Sequence, residues 1–120
     1  MVGTAAHAEG NAANGEKVFS RCKACHSYEK DAKPKIGPNL FGVVDRKCGT
    51  SADFAPRYSV GMKACAEKGS TWSEAELKKY IPDANTYLGE MTGKKGSAMS
   101  AQKLDPQQLE DVVAYLKTLK

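Results

Sequence analysis

The sequence predicts a small all-α domain, and three observations support this prediction. The chain has 120 residues, a length at which a protein forms one hydrophobic core. Apolar residues recur at helical spacing in several stretches that begin with Asn, Ser or Asp, the residues that cap helices well. No stretch shows the sustained apolar-polar alternation that predicts a half-buried strand. We therefore expect a single domain of short helices joined by loops.

The first two predicted helices rest on capping residues and apolar spacing. One begins at Asn11 or Asn14 and extends to about His26, so that it carries a cysteine-histidine motif near its end. The other covers about residues 59–67. Between them, residues 30–57 contain repeated Pro and Gly, which predicts loops and irregular structure.

Two further helices are predicted in the C-terminal half. Ser73 has Glu76 three residues later, which is the spacing of a capping box, and the helix should end before Pro82. Residues 86–105 lack a regular apolar period and predict a long loop. The last helix begins at Pro106, a residue well suited to a first helical turn. Its apolar face consists of Leu109, Val112, Val113, Leu116 and Leu119.

The cysteine-histidine motif is Cys22-Lys23-Ala24-Cys25-His26, and its Cys-x-x-Cys-His spacing is typical of covalent haem c attachment. In such sites both thiols bond to the haem and the histidine takes one axial position on the iron. A thioredoxin-like redox pair is one alternative, but it needs a βαβ context that the sequence lacks. A zinc site is the other, and it would need Cys48 and Cys65 as further ligands, although these are not spaced as a second Cys-x-x-Cys. We expect one haem c, bound through Cys22 and Cys25.

Cys48 and Cys65 can instead pair with each other in an oxidising compartment, with two buried free thiols as the alternative. The start of the chain favours export, because Ala6-His7-Ala8 has the Ala-x-Ala form of a signal-peptidase site. We therefore expect a Cys48–Cys65 disulfide and a periplasmic location. Residues 1–8 should form a flexible tail or signal remnant, and residues 9–120 the single domain.

The charge balance bears on the class of partner. Lys and Arg number 18 against 14 Asp and Glu, which gives a net charge of +4. This modest basicity favours steering toward acidic faces of protein partners. Nucleic-acid binding would need a denser basic stripe and a recognised motif, and we expect none. No apolar run approaches the ~20 residues needed to cross a bilayer, so we expect only transient encounters with membrane surfaces. We also expect the protein to be a monomer.

Together these segments resemble class I cytochromes c, most closely the soluble alphaproteobacterial, cytochrome c2-like type, over about residues 9–120. Gly15 and Phe19 match the family's N-terminal helix, and Val112 matches the C-terminal helix that crosses it. The loop Gly37-Pro38-Asn39-Leu40 matches the family loop whose proline carbonyl accepts the histidine Nδ1 proton. The resemblance implies the class I cytochrome c fold, in which short helices and loops wrap one covalently bound haem between crossing terminal helices.

The same resemblance implies the haem contacts. Met99 takes the axial position opposite His26 and is preferred to Met91, because it falls at the family's ligand position measured back from the last helix. The chain departs from the family at Asp45, which replaces the usual glycine before Arg46, and in the residues that flank Met99. The implied haem-binding residues are Cys22, Cys25, His26, Pro38, Arg46, Tyr58, Trp72, Tyr80, Ser97 and Met99, and the implied iron ligands are His26 and Met99.

With both axial positions filled, the resemblance implies an electron carrier and not an enzyme. It implies a route from a quinol-oxidising cytochrome bc complex to a terminal oxidase or a photosynthetic reaction centre. Basic residues around the haem edge would guide docking to acidic partner faces: Arg21, Lys23, Lys35, Lys94, Lys95 and Lys103. The alternative is a ligand-binding or peroxidase-like haem protein whose sixth position is open.

Overall fold

The computed structural model describes residues 10–94 and 99–120, and within them the fold is helical. Its five α-helices are α1 (Ala12–Phe19), α2 (Val60–Lys68), α3 (Glu74–Tyr80), α4 (Ala84–Thr92) and α5 (Pro106–Lys117). The strand-type pairing in this part of the chain is a single antiparallel bridge between Lys47 and Thr71. The all-α prediction is confirmed. The tail expected over residues 1–8 lies outside the described residues, and none of the described helices is long and apolar enough to span a bilayer.

The first helix is shorter than its pattern predicted. Asn11 caps α1 by accepting a hydrogen bond from the Asn14 N–H at 2.9 Å, but the α-helix ends at Phe19 instead of near His26. The cysteine motif follows on a 3₁₀ helix, Cys22–Ala24. Because a 3₁₀ helix has about three residues per turn, side chains three positions apart share one side. The two motif cysteines therefore point the same way.

Helix α4 contradicts the long loop predicted over residues 86–105. Asp83 caps it through its side chain, which accepts from the Thr86 N–H at 3.2 Å, and Gly93 ends it in the left-handed region at φ 77°. Leu88, at the centre of α4, is fully buried. A helix this short is stabilised mainly by the surface that it buries, which explains why its weak periodicity did not reveal it. Residues 52–57, expected to be irregular, likewise form a 3₁₀ helix.

The capping predictions for the later helices are confirmed in part. Ser73 caps α3 by accepting from the Glu76 N–H at 3.2 Å. The Glu76 carboxylate does not complete the capping box, because it accepts a hydrogen bond of 2.6 Å from the Tyr87 hydroxyl of α4. A complete capping box instead begins α5, where Asp105 and Gln108 bond to each other's backbone N–H groups.

The crossing of α1 and α5 forms the centre of the fold. A Cβ atom on Gly15 would lie 1.9 Å from the Asp111 carbonyl oxygen, so the two backbones touch at this point. Phe19 is fully buried, and its ring lies 5.1 Å from that of Tyr115 between centroids. The buried Asp111 carboxylate accepts a hydrogen bond of 2.8 Å from the Asn11 N–H. These contacts fix α1 against α5, and the cysteine motif follows directly from the end of α1.

The close approach gives the first testable prediction. In an exposed helix, Gly→Ala stabilises by up to about 1 kcal/mol. Gly15→Ala should do the reverse and lower the free energy of unfolding by about 1–3 kcal/mol, because the methyl group forces α1 away from α5. Denaturant unfolding of the intact protein measures the change. Asn14→Ala, an exposed change in the same helix, is the control, and a Gly15→Ala variant more stable than the parent would contradict the close contact.

Candidate functional site

A cavity of about 240 Å³ lies between α1, α3, α5 and the intervening loops. Most of its wall is apolar, which favours an apolar occupant because the hydrophobic effect drives such surface out of water. These apolar side chains include Val18, Phe19, Leu40, Val43, Phe54, Leu77, Ile81, Leu104, Val112 and Leu116. The polar and sulfur-bearing groups on the wall come from separate parts of the chain.

The cysteine motif lies on this wall. Cys22, Cys25 and His26 all line the cavity, and the two cysteines are free, half-buried thiols. Burial raises the pKa of the Cys22 thiol, against a smaller opposite effect of the Arg21 charge. The motif therefore presents two thiols and an imidazole to one apolar space.

The His26 ring is held by the loop that follows it. Its Nδ1 donates a hydrogen bond of 2.8 Å to the Pro38 carbonyl, which can only accept. Burial lowers the pKa of His26, although the bond to Pro38 opposes this shift. The ring is thus neutral, and its Nε2 lone pair is left for a metal ion. A Cβ on Gly37 would lie 2.5 Å from the ring Cε1, so only glycine permits this contact.

The methionines divide into two groups. Met99 and Met62 line the cavity. Met91 does not line it, because its sulfur packs 3.6 Å from the Cys65 sulfur on α2. The structure therefore brings Met99, and not Met91, to the same cavity as His26. Met62 of α2 is a cavity residue as well, and its place there depends on the tertiary position of α2.

One polar part of the wall contains a cation. The Arg46 guanidinium donates to the Asn39 and Phe41 carbonyls at 3.1 and 3.2 Å, and none of the ion pairs among the described residues involves it. Burial lowers the pKa of Arg46, and nearby Tyr58 offsets this in part. A half-buried cation without a carboxylate partner fits an anionic group of a ligand. Asp45, before it, has φ 70°, the left-handed conformation that explains the glycine usual in the resembled family.

The other implied aromatic residues also lie on the wall. Trp72 and Tyr80 line the cavity, and their ring centroids lie 4.8 Å apart. Tyr58 and Pro38 line the cavity as well. Ser97 lies outside the described residues. Arg57 lines the cavity but was not predicted from the sequence. Its signal was weak because a single Arg in an irregular segment is usually a solvated surface residue.

The remaining cysteines form the expected disulfide. Cys48 and Cys65 are bonded, with Cα atoms 6.1 Å apart, and both are fully buried. The zinc alternative is therefore wrong, since the two sulfurs are bonded to each other and cannot act as thiolate ligands. In the part of the chain that the structure describes, no three His, Cys, Asp or Glu side chains are grouped to hold a metal ion.

A haem c suits the residues that are present. Two thiols and a neutral imidazole lie together, a thioether shares their cavity, and the walls are apolar. The unpaired Arg46 guanidinium suits a carboxylate such as a haem propionate. These features match the donor set of a c-type cytochrome.

Comparisons with known proteins match the chain to c-type cytochromes. The family model described as cytochrome c matches residues 12–120. The chain is 42% identical over 118 residues to cytochrome c2 of Rhodospirillum rubrum, an alignment that covers 97% of this chain and 86% of the relative. It is 41% identical over 113 residues to cytochrome c-550 of Novispirillum itersonii, covering 92% of this chain and 100% of the relative.

Solved structures agree in fold. The structure of cytochrome c2 from Rhodospirillum centenum matches with a TM-score of 0.84 and 38% identity, covering 92% of this chain and 98% of the other. Ferric cytochrome c-550 from Paracoccus versutus matches with a TM-score of 0.80 and 39% identity, at the same coverages. The arrangement of helices around the cavity is therefore shared with these proteins.

Proposed function

The chain belongs to the cytochrome c family, and from this premise we propose that it carries single electrons between membrane-bound redox complexes, with His26 and Met99 as the axial ligands of its haem. The observation on which the proposal rests is the shared cavity that brings Cys22, Cys25, His26 and Met99 together from both ends of the chain. Membership of the family implies a covalently attached haem c. That group supplies the one-electron couple of its iron.

The residues of the chain perform distinct tasks in this function. Cys22 and Cys25 would form the thioether bonds, and His26 would donate its Nε2 lone pair to the iron while the Pro38 carbonyl holds the ring in the required tautomer. The Met99 thioether would be a soft ligand that favours the reduced iron and raises the reduction potential. Arg46, Tyr58 and Trp72, which line the cavity, would hold the propionate groups by charge and hydrogen bonds.

Two axial protein ligands leave no position for a substrate, so we do not expect an enzyme. A ligand-binding or peroxidase-like protein would need an open sixth position. The presence of Met99 on the cavity wall supports the carrier over that alternative. Tyr80 lines the same cavity, and its ring packs against that of Trp72.

Docking to partners would use the mouth of this cavity. Ile36 lines the cavity and is 75% exposed, so it marks the rim. Lys35 precedes it, and the Arg57 guanidinium donates to the Lys35 carbonyl, which brings two cations to this rim. Such a surface fits the acidic faces of a quinol-oxidising cytochrome bc complex as donor and of a terminal oxidase or photosynthetic reaction centre as acceptor, in the periplasm.

Covalent attachment is the first consequence to test. Extraction of the purified protein with acidified acetone should leave the pigment with the polypeptide, because two thioether bonds resist this treatment. Cys22→Ala should retain the pigment through the single bond to Cys25. Mass spectrometry of the extracted chain measures the attached mass. Pigment recovered in the organic phase from the unaltered protein would reject attachment at this motif.

The choice of Met99 is testable by substitution. Met99→Ala should remove the near-infrared absorption band that reports sulfur ligation, lower the reduction potential, and allow cyanide to bind the ferric protein. Met91→Ala is the matched control and should leave all three unchanged, because its sulfur packs on the disulfide. The reverse pattern would reassign the ligand to Met91. If the unaltered protein lacks the band, the open-site alternative is favoured instead.

Charge at the cavity rim should control association. The second-order rate of electron transfer with an acidic partner should fall as salt rises, because the Debye length is only ~8 Å at physiological ionic strength. Lys35→Glu should slow association by roughly three- to tenfold at low salt. Lys120→Glu changes charge equally at an exposed position off the cavity wall and is the control. Equal effects of the two reversals, measured by stopped-flow, would contradict docking at this rim.

A further inference from the structure

The disulfide closes a loop of the chain that forms part of the cavity wall. Between Cys48 and Cys65 lie six of the residues that line it. These residues are Gly49, Phe54, Arg57, Tyr58, Ser59 and Met62. Both cysteines are themselves buried and lie behind this wall.

Apart from the disulfide, the segment is weakly attached to the rest of the molecule. Five of the six residues of its 3₁₀ helix, Ala52–Arg57, are exposed, and Phe54 is its buried anchor. Most of its hydrogen bonds stay within the segment, as where the Ser51 N–H donates to the Tyr58 hydroxyl at 3.0 Å, and the Arg57 guanidinium reaches outside it to the Lys35 carbonyl. Segments with many exposed residues and few buried contacts are those that open locally in native proteins.

The two cysteines, in contrast, sit on firmly held structure. The Cys48 N–H donates to the Ser70 carbonyl at 2.9 Å, beside the bridge between Lys47 and Thr71. Cys65 lies in α2, where its sulfur packs against Met91 of α4 at 3.6 Å. The bond therefore joins two anchored points at the ends of a weakly anchored segment. Cross-linking such ends restricts the conformations that the segment can reach when it opens.

We propose that the Cys48–Cys65 disulfide is a positioning element for the haem cavity, which holds Phe54, Arg57 and Tyr58 on the wall by preventing local opening of residues 49–59. The proposal rests on the proposed function, because the wall matters only if a haem fills the cavity. Its distinguishing consequence is local: without the bond, the wall opens and admits water and small ligands, while the crossing of α1 and α5 stays closed.

The test uses the haem-loaded protein with the double change Cys48→Ala and Cys65→Val, which removes the bond and retains most of the buried volume. Native-state hydrogen exchange should show that residues 49–59 open about tenfold or more often than in the parent, with little change in α5. Imidazole should bind the ferric protein faster, and the reduction potential should fall as water reaches the haem.

The control is Val113→Ala in α5. Val113 is 1% exposed and does not line the cavity, so its truncation lowers overall stability without loosening the wall. This variant should leave imidazole binding and the reduction potential unchanged. The double variant could instead raise exchange evenly along the chain and leave imidazole binding and the reduction potential at parental values. In that case the disulfide stabilises the whole protein and the proposal is wrong.

A second measurement, on the parent protein, applies if the double variant does not fold. Hydrogen exchange of the parent protein held in a phosphine reductant should show the same opening of residues 49–59. Unchanged protection there, once mass spectrometry shows the bond reduced, would overturn the proposal. Absence of covalent haem in the parent would reject the proposed function. The exchange pattern of the same samples still decides whether the disulfide holds the segment.

Discussion

The backbone contact between α1 and α5 is the constraint on which the rest of the site depends. Gly15 lets the two helices touch at Asp111, and the contact is closed by Phe19 at the end of α1. Because the cysteine motif begins three residues after Phe19, the crossing fixes where both thiols enter the cavity. Val112 and Leu116 on the same face of α5 then form part of the cavity wall. A single helix crossing thus links overall stability to the position of the haem attachment site.

The histidine is positioned by a second, independent device. Gly37 gives the imidazole room, and the Pro38 carbonyl determines which ring nitrogen carries the proton. Burial by itself would only keep the ring neutral, whereas the hydrogen bond also directs Nε2 into the cavity. The backbone of this loop is tied to the motif, since the Gly37 N–H donates to the Cys25 carbonyl at 2.6 Å. The ligand and its support therefore move as one unit.

The part of the wall that carries Arg46 and the segment after Cys48 is held in a different way. Arg46 is anchored by two backbone carbonyls, which leaves its charge available toward the cavity. The residues after Cys48 form a largely exposed segment, and a covalent bond takes the place of an apolar core beneath it. In a chain of this length the ligand itself supplies much of the missing core. Such a wall can close around the haem and still leave Ile36 and the neighbouring cations at the surface.

Properties set by local chemistry were predictable from the sequence. The Cys-x-x-Cys-His spacing, the caps at Asn11, Ser73 and Asp105, and the all-α class depend on residues close together in the chain. The pairing of Cys48 with Cys65 was also predicted, because no other cysteines remained outside the motif.

Other features were decided by tertiary structure, because they depend on contacts between distant residues. Helix α4 forms because Leu88 is buried by the rest of the fold, although its own sequence has a weak helical period. The half-formed capping box of Glu76 and the presence of Met62 on the cavity wall likewise follow from packing. The sequence by itself determined the chemistry that the chain carries. Only the fold determined which side chains meet, since a residue's neighbours in space come from helices that the local pattern does not relate to one another.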